Sequence, residues 1–166
     1  MIPVRRLAGG PLNVEARLPR EGALFSGTGL IFTEDPTVRL VVERSTDGGV
    51  HAVGTLEARY RLECRRCLNE MTHEVRLPVD VWFDPAVEDD SGDEAVYAMG
   101  SDTASIDIAP PMRDELILSN PAYPVCRSDC PGLCPGCGVD LSVEACVCGP
   151  KESDPRWDAL RAAKDD

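Results

Sequence analysis

No stretch of this sequence approaches the ~20 consecutive apolar residues of a membrane span. The opening Met-Ile-Pro-Val-Arg-Arg-Leu-Ala-Gly-Gly carries two arginines but no apolar run of signal-peptide length. These absences predict a cytoplasmic protein. Histidine is almost missing: His51 and His73 are the two in the chain, and there is no H-E-x-x-H pattern. A catalytic zinc site keeps a position open for water and commonly uses histidine or carboxylate, so that class is disfavoured. The phosphate loop is lacking as well, because Phe25-Ser26-Gly27-Thr28-Gly29-Leu30 has neither the second half of that motif nor its lysine and reads as a strand or bend. Positive charge is short, with 17 Lys and Arg against 29 Asp and Glu and a formal net charge of -12. Phosphates would be repelled from most of such a surface, which argues against a protein that coats nucleic acid and leaves room for a local contact with RNA. Trp82 and Trp157 belong to no aromatic series of the kind that stacks on bases and are expected to pack. No internal repeat of solenoid length is present.

What is present is enough for one domain. A chain of 166 residues supports a proper core, with space for a small appended module. Residues 1–83 read as a β-rich region. The clearest strand has Val50, Ala52, Gly54, Leu56, Ala58, Tyr60, Leu62 and Cys64 alternating with His51, Val53, Thr55, Glu57, Arg59, Arg61 and Glu63, so that one face is apolar and the other wet. Val38 to Ser45 is a second β-rich run, joined to the first by Thr46-Asp47-Gly48-Gly49, residues suited to a tight hairpin connection. A third run, Val75, Leu77, Val79, Val81 and Phe83, keeps period two, and Pro78 within it removes a ladder donor and predicts an open edge. Residues 84–107 hold Asp84, Glu88, Asp89, Asp90, Asp93, Glu94, Asp102 and Asp107 without one basic residue, the composition of a solvated loop or linker.

Residues 108–166 change period. Asp107 is placed to cap a helix whose first turn suits Pro110 or Pro111 and whose apolar positions are Met112, Leu116 and Ile117, with Asn120-Pro121 as its stop. A cysteine segment follows, and Asp154-Pro155 opens a short last helix with Trp157 and Leu160 on one face. The predicted class is α+β: mainly antiparallel sheet or partial barrel, one interior helix, a cysteine-rich C-terminal module and a short terminal helix, integrated in one domain.

The cysteines carry the strongest chemical signal. Cys126-x3-Cys130-x3-Cys134-x2-Cys137-x8-Cys146-x-Cys148 places six thiols within 23 residues, and Cys64-x2-Cys67 adds two more. In a reducing compartment such grouping favours metal ligands over disulfides or inert buried thiols. A C-x-x-C turn points both sulfurs at one centre, and four thiolates close a structural zinc site. Eight cysteines therefore make two sites. The favoured partition sets Cys64, Cys67, Cys126 and Cys130 against Cys134, Cys137, Cys146 and Cys148, each combining two local pairs, the first across 58 intervening residues. A competing one places Cys126, Cys130, Cys134 and Cys137 on one ion and leaves Cys64, Cys67, Cys146 and Cys148 to a second site or as free thiols. Iron bound by the same thiolates, or a thiol couple, is the rival chemistry and would make this a redox protein.

Two further features are weighed. Arg59 and Arg61 on the wet face, with Arg65 and Arg66 inside the Cys64 turn, form a basic patch able to grip phosphate; ordinary cross-strand ion pairing is the plainer explanation. A lone strand histidine such as His51 or His73 is usually a surface residue, and Asp107, Asp114 and Glu115 need no role beyond capping and helix surface.

Cys64-Arg65-Arg66-Cys67 after a strand, Asp114-Glu115-Leu116-Ile117-Leu118 before a proline, C-R-S-D-C-P-G-L-C-P-G-C-G from Cys126 to Gly138, Val139-Asp140-Leu141 before C-x-C, and Asp154-Pro155-Arg156 together resemble the YceD family, also called large ribosomal RNA subunit accumulation protein. The resemblance spans about residues 50 to 163. It implies a non-enzymatic factor supporting accumulation of large-subunit ribosomal RNA, with one or two structural zinc ions. The partner it implies is a large-subunit precursor, met through ribosomal protein or ribosomal RNA, without membrane or small-molecule substrate. A transcription-linked zinc ribbon is the remaining alternative, and the net charge speaks against the duplex binding it requires.

Overall fold

The computed structural model describes residues 1–85, 87, 96–99, 104–149 and 156. Its strands are β1 (Ile2–Pro3), β2 (Leu12–Arg17), β3 (Ile31–Phe32), β4 (Thr37–Arg44), β5 (Val50–Glu63), β6 (Glu70–Asp84), β7 (Val96–Ala98) and β8 (Ser105–Ile106), with the helix α1 at Ala109–Leu118. The chain forms two units, one of residues 1–63 and 70–124, the other of residues 64–69 with the chain from Val125 on. The turn between β5 and β6 thus belongs with the cysteine segment, although it lies inside the β-rich part of the sequence. The short helix expected after Asp154-Pro155 and most of the acidic stretch lie outside the described residues.

In the first unit the period-two pattern does what it predicts. Along β5, Val50, Ala52, Leu56, Ala58 and Tyr60 are buried while Val53, Arg59 and Arg61 face water. β5 pairs antiparallel with β4 over Val50–Glu57 and with β6 over its whole length. The order is β2-β4-β5-β6-β7, with β3 pairing β5 beyond the end of β4. Ser45 and Gly49 close the β4–β5 hairpin, the amide of Ser45 donating to the Gly49 carbonyl at 2.9 Å, and Gly48 takes the positive φ (97°) that favours glycine.

Several readings need correction. Val96–Ala98, inside the stretch read as a loop, forms β7 and pairs parallel to β6 at Trp82, Phe83 and Asp84, while the other described pairings keep the sheet mainly antiparallel as expected. Residues 25–30, read as strand or bend, hold no strand: they leave the 3-10 turn at Ala23–Phe25 through a turn and a bend. Ile117 is not part of the buried face of α1; Pro111, Met112 and Leu116 are, because Met112 and Leu116, four apart, share one stripe. The helix starts one residue later than Asp107 would cap, but the Asp107 carboxylate still accepts the Ala109 amide at 3.0 Å. Trp82 does not enter the core. It is 38% exposed on the outer face and stacks on His51, ring centroids 3.9 Å apart. The His51 Nε2 lies 2.7 Å from Asp80, which holds that ring in place. Pro78 meets its expectation: β7 covers β6 at Trp82–Asp84 alone, leaving the edge at Pro78 uncovered among the described residues.

The core of this unit gathers Val38, Leu40, Val42, Val50, Leu56, Tyr60, Val79, Val81, Phe83, Met112 and Leu116 with side chains from the first 32 residues, including Ile2, Leu7, Phe25 and Phe32. No helix among the described residues is long and apolar enough to cross a membrane.

Candidate metal centres

In the second unit, two C-x-x-C turns are built alike. In Cys64-Arg65-Arg66-Cys67-Leu68, the Leu68 amide donates to the Cys64 carbonyl at 2.9 Å and the Arg66 amide points at the Cys64 Sγ at 3.5 Å. In Cys134-Pro135-Gly136-Cys137-Gly138, the Gly138 amide donates to the Cys134 carbonyl at 2.9 Å and the Gly136 amide reaches the Cys134 Sγ at 3.4 Å. Both turns close with a residue at positive φ, 63° at Leu68 and 78° at Gly138. That conformation costs a non-glycine residue ~1–2 kcal/mol. Because Leu68 is 52% exposed, its side chain returns little packing for the strain. Leu68→Gly is therefore expected to be neutral or up to about 1 kcal/mol stabilising, and Gly138→Ala to cost about 1 kcal/mol, in denaturant titrations of the two variants.

The structure brings the eight sulfurs into two groups, Cys64, Cys67, Cys126 and Cys130, and Cys134, Cys137, Cys146 and Cys148, each with all four Sγ atoms within 4.8 Å of one another. None is joined in a disulfide. Sulfurs at ~2.3 Å from a tetrahedral zinc stand ~3.8 Å apart. The first group matches this spacing, with Cys64 to Cys130 at 3.9 Å and Cys67 to Cys126 at 3.8 Å. In the second, Cys137 to Cys146 is 3.7 Å and Cys134 to Cys146 is 3.1 Å. The donor set, four soft sulfurs with no histidine or carboxylate in either group, fits zinc or iron.

Local amides prepare these sulfurs for charge. Bonds from the backbone at Cys67 and Cys126 hold the Cys64 thiol down to about 6, and those at Cys137, with the Cys146 thiol and the Gly136 amide, hold Cys134 down to about 6. A hydrogen bond with the Cys130 thiol pushes the Cys126 thiol up to about 12, and one with the Cys146 thiol pushes Cys148 up to about 12. In each group one thiolate forms readily and the last is resisted by sulfurs already crowded around it. A divalent cation removes that resistance, so loading releases protons and weakens as the pH falls.

Arg66, expected as part of a basic patch, instead completes the frame, together with Asn69 and Gly132, which the sequence did not mark. The Arg66 guanidinium donates to the carbonyls of Ser128 (3.2 Å) and Cys130 (2.9 Å), tying the first turn to the segment that supplies the other two thiols. Asn69 Nδ2 donates to Asp140 at 2.7 Å, and the Leu133 amide donates to the Arg66 carbonyl at 2.9 Å. Gly132 (φ 77°) passes so close that a Cβ there would stand 2.9 Å from the Arg66 carbonyl oxygen. Of the four arginines read as a basic patch, Arg59 pairs with Glu74 (3.1 Å) and Glu34 (3.5 Å), and Arg61 with Glu70 (3.7 Å). Those pairings are the cross-strand alternative to a phosphate grip, and being exposed they contribute ~0–1 kcal/mol each.

Among known proteins, residues 52–164 match the family described as Large ribosomal RNA subunit accumulation protein YceD. The chain belongs to the YceD family. Two proteins named as uncharacterized, from Mycobacterium bovis and Mycobacterium tuberculosis, are 37% identical to it over 121 residues, covering 70% of this chain and 56% of their own length. Another, from Mycobacterium leprae, is 34% identical over 103 residues, 60% of this chain and 46% of its own length. The chain thus spans about half the length of these relatives. No solved structure matches it significantly. The YceD match takes in all eight cysteines of the two groups.

Proposed function

We propose that this YceD-family chain is a non-enzymatic cytoplasmic factor that supports accumulation of large-subunit ribosomal RNA, and that two zinc ions shape the unit with which it meets a large-subunit precursor. The observation that supports this reading most is the donor set. Each group is closed by four thiolates, leaving no position for a substrate or an activated water, which is the arrangement of a structural ion. The ions would be held by Cys64, Cys67, Cys126 and Cys130, and by Cys134, Cys137, Cys146 and Cys148. They supply folding free energy rather than chemistry.

The partner is a basic ribosomal protein or ribosomal RNA itself. A surface of net charge -12 complements the former, and the latter would be met locally. Of the candidate contacts Arg59, Arg61, Arg65 and Arg66, Arg65 is the exposed side chain in the C-x-x-C turn without an ion pair among the described residues, whereas the other three are engaged within the protein. Affinity capture of the tagged chain from growing cells, with identification of bound RNA and protein, is expected to recover large-subunit precursors. Charge reversal, Arg65→Glu, is expected to reduce that recovery if RNA is the direct partner and to leave it unchanged if protein is. Recovery of metabolic enzymes alone would overturn the assignment.

A further inference from the structure

The two cysteine groups are alike in composition and unlike in shielding. In the first, Cys64, Cys67 and Cys130 are buried and Cys126 is exposed; in the second, Cys137 and Cys148 are exposed, Cys146 is half-buried and Cys134 is buried. The first is crossed by the Arg66 guanidinium and its two carbonyl bonds. The second closes on Cys146-Val147-Cys148, where Val147 is 94% exposed and the backbone holds no regular structure. Within it Cys146 has two sulfurs at short range, Cys134 at 3.1 Å and Cys137 at 3.7 Å. A disulfide requires ~2.05 Å. The remaining approach is small, and a segment without helix or strand can supply it.

We propose that the second group is an oxidative modification site for hydroperoxides: two-electron oxidation joins Cys146 to a thiol of its own group and expels the metal, while the first group stays closed. This rests on the zinc reading given above. In the first step the exposed Cys137 thiolate attacks one oxygen of hydrogen peroxide; the O–O bond breaks, hydroxide leaves, and the sulfur becomes a sulfenic acid. In the second the Cys146 thiolate attacks that sulfur, the S–S bond forms and the S–O bond breaks, releasing a second hydroxide. Two sulfurs have given up two electrons, and two protons from solvent turn the hydroxides into water. Exchange with Cys134, the nearest neighbour of Cys146, can then move the bond within the group. Two thiolates remain, too few to close a tetrahedral site, and the ion departs. Exposure and thiolate character decide which cysteines oxidise first, and both groups share the second property, so shielding discriminates between them.

The test uses the reduced, metal-loaded full chain treated with stoichiometric hydrogen peroxide. Released zinc is read with a chromogenic chelator, and the oxidation of each cysteine by differential alkylation and mass spectrometry. One of two equivalents is expected to leave, with Cys137 and Cys146 oxidising about ten-fold faster than Cys64 and Cys67. A disulfide containing Cys146 should form within residues 134–148, and thiol reduction with added zinc should reverse the change. Loss of both equivalents together, faster oxidation of Cys64 and Cys67, or oxidation without that disulfide overturns the proposal. Zinc content before peroxide is added tests the zinc reading by itself: a metal-free protein would sink that reading and the metal release with it, and the rates at each cysteine would still decide the selective oxidation.

Discussion

Stripping metal from the reduced protein is expected to unfold residues 125–149 while the six-stranded sheet stays folded. Between Val125 and Gly149 the buried residues are Cys130, Gly132 and Cys134, so this segment has no apolar core of its own. The buried cluster of its unit consists of Cys64, Cys67 and Cys130. Large apolar side chains here, Leu141, Val143 and Val147, are exposed. Burial cannot offset the backbone entropy of ordering such a segment, which runs at ~1–2 kcal/mol per residue. On the proposed zinc reading, four thiolates on each ion would contribute ~10–16 kcal/mol and make the difference. The sheet has a separate apolar core and does not share the dependence. The measurement is limited proteolysis with amide NMR dispersion before and after a strong chelator. Cys130→Ser should remove one metal equivalent and Cys148→Ser the other. Protection of residues 125–149 in metal-free, reduced protein would refute the account of how this unit is held.

Gly54→Ala is expected to be the most damaging single-methyl change in the sheet. Gly54 sits in the middle of β5, opposite Leu40 on one side and Val79 on the other. A Cβ there would overlap the carbonyl oxygen of Arg39 and come within 2.9 Å of the Arg39 carbonyl carbon and the Leu40 Cα. All three are backbone atoms, so no rotamer change relieves the collision; β4 and β5 must part, and their ladder hydrogen bonds weaken with them. The cost should exceed the ~1–3 kcal/mol usual for an overfilled core. Val53→Ala, at the neighbouring 40% exposed position, should stay within about 1 kcal/mol of wild type. Denaturant midpoints of the two variants decide it: equal values would mean that the strands at Gly54 are not packed as closely as described.

Much of this was legible in one dimension. Period-two alternation marks β4, β5 and β6 because the pleat sends successive side chains to opposite faces whatever the partner strand, and the buried set of β5 follows it from Val50 to Tyr60. Each C-x-x-C turn is a local object whose sulfurs are converged by its own amides, so its spacing announced it. Strand β1 carried no pattern, because Ile2–Pro3 is two residues long, whereas β2 alternates Leu12, Val14 and Ala16 with Asn13, Glu15 and Arg17 as a half-buried edge strand does. Trp82 is off the phase of Val79, Val81 and Phe83, so alternation alone put it on the outer face, and the register with β5 seated it on His51.

The sequence by itself determined two C-x-x-C turns and set one of them at the tip of a β hairpin, since both follow from contacts among near neighbours. Tertiary structure alone decided how the eight divide, the parallel seat of β7, the commitment of Arg59, Arg61 and Arg66 to partners within the protein, and the need for glycine at position 54. Each of these joins groups far apart in the chain, where the spacing of residues along the backbone places no limit on the distance between atoms in space.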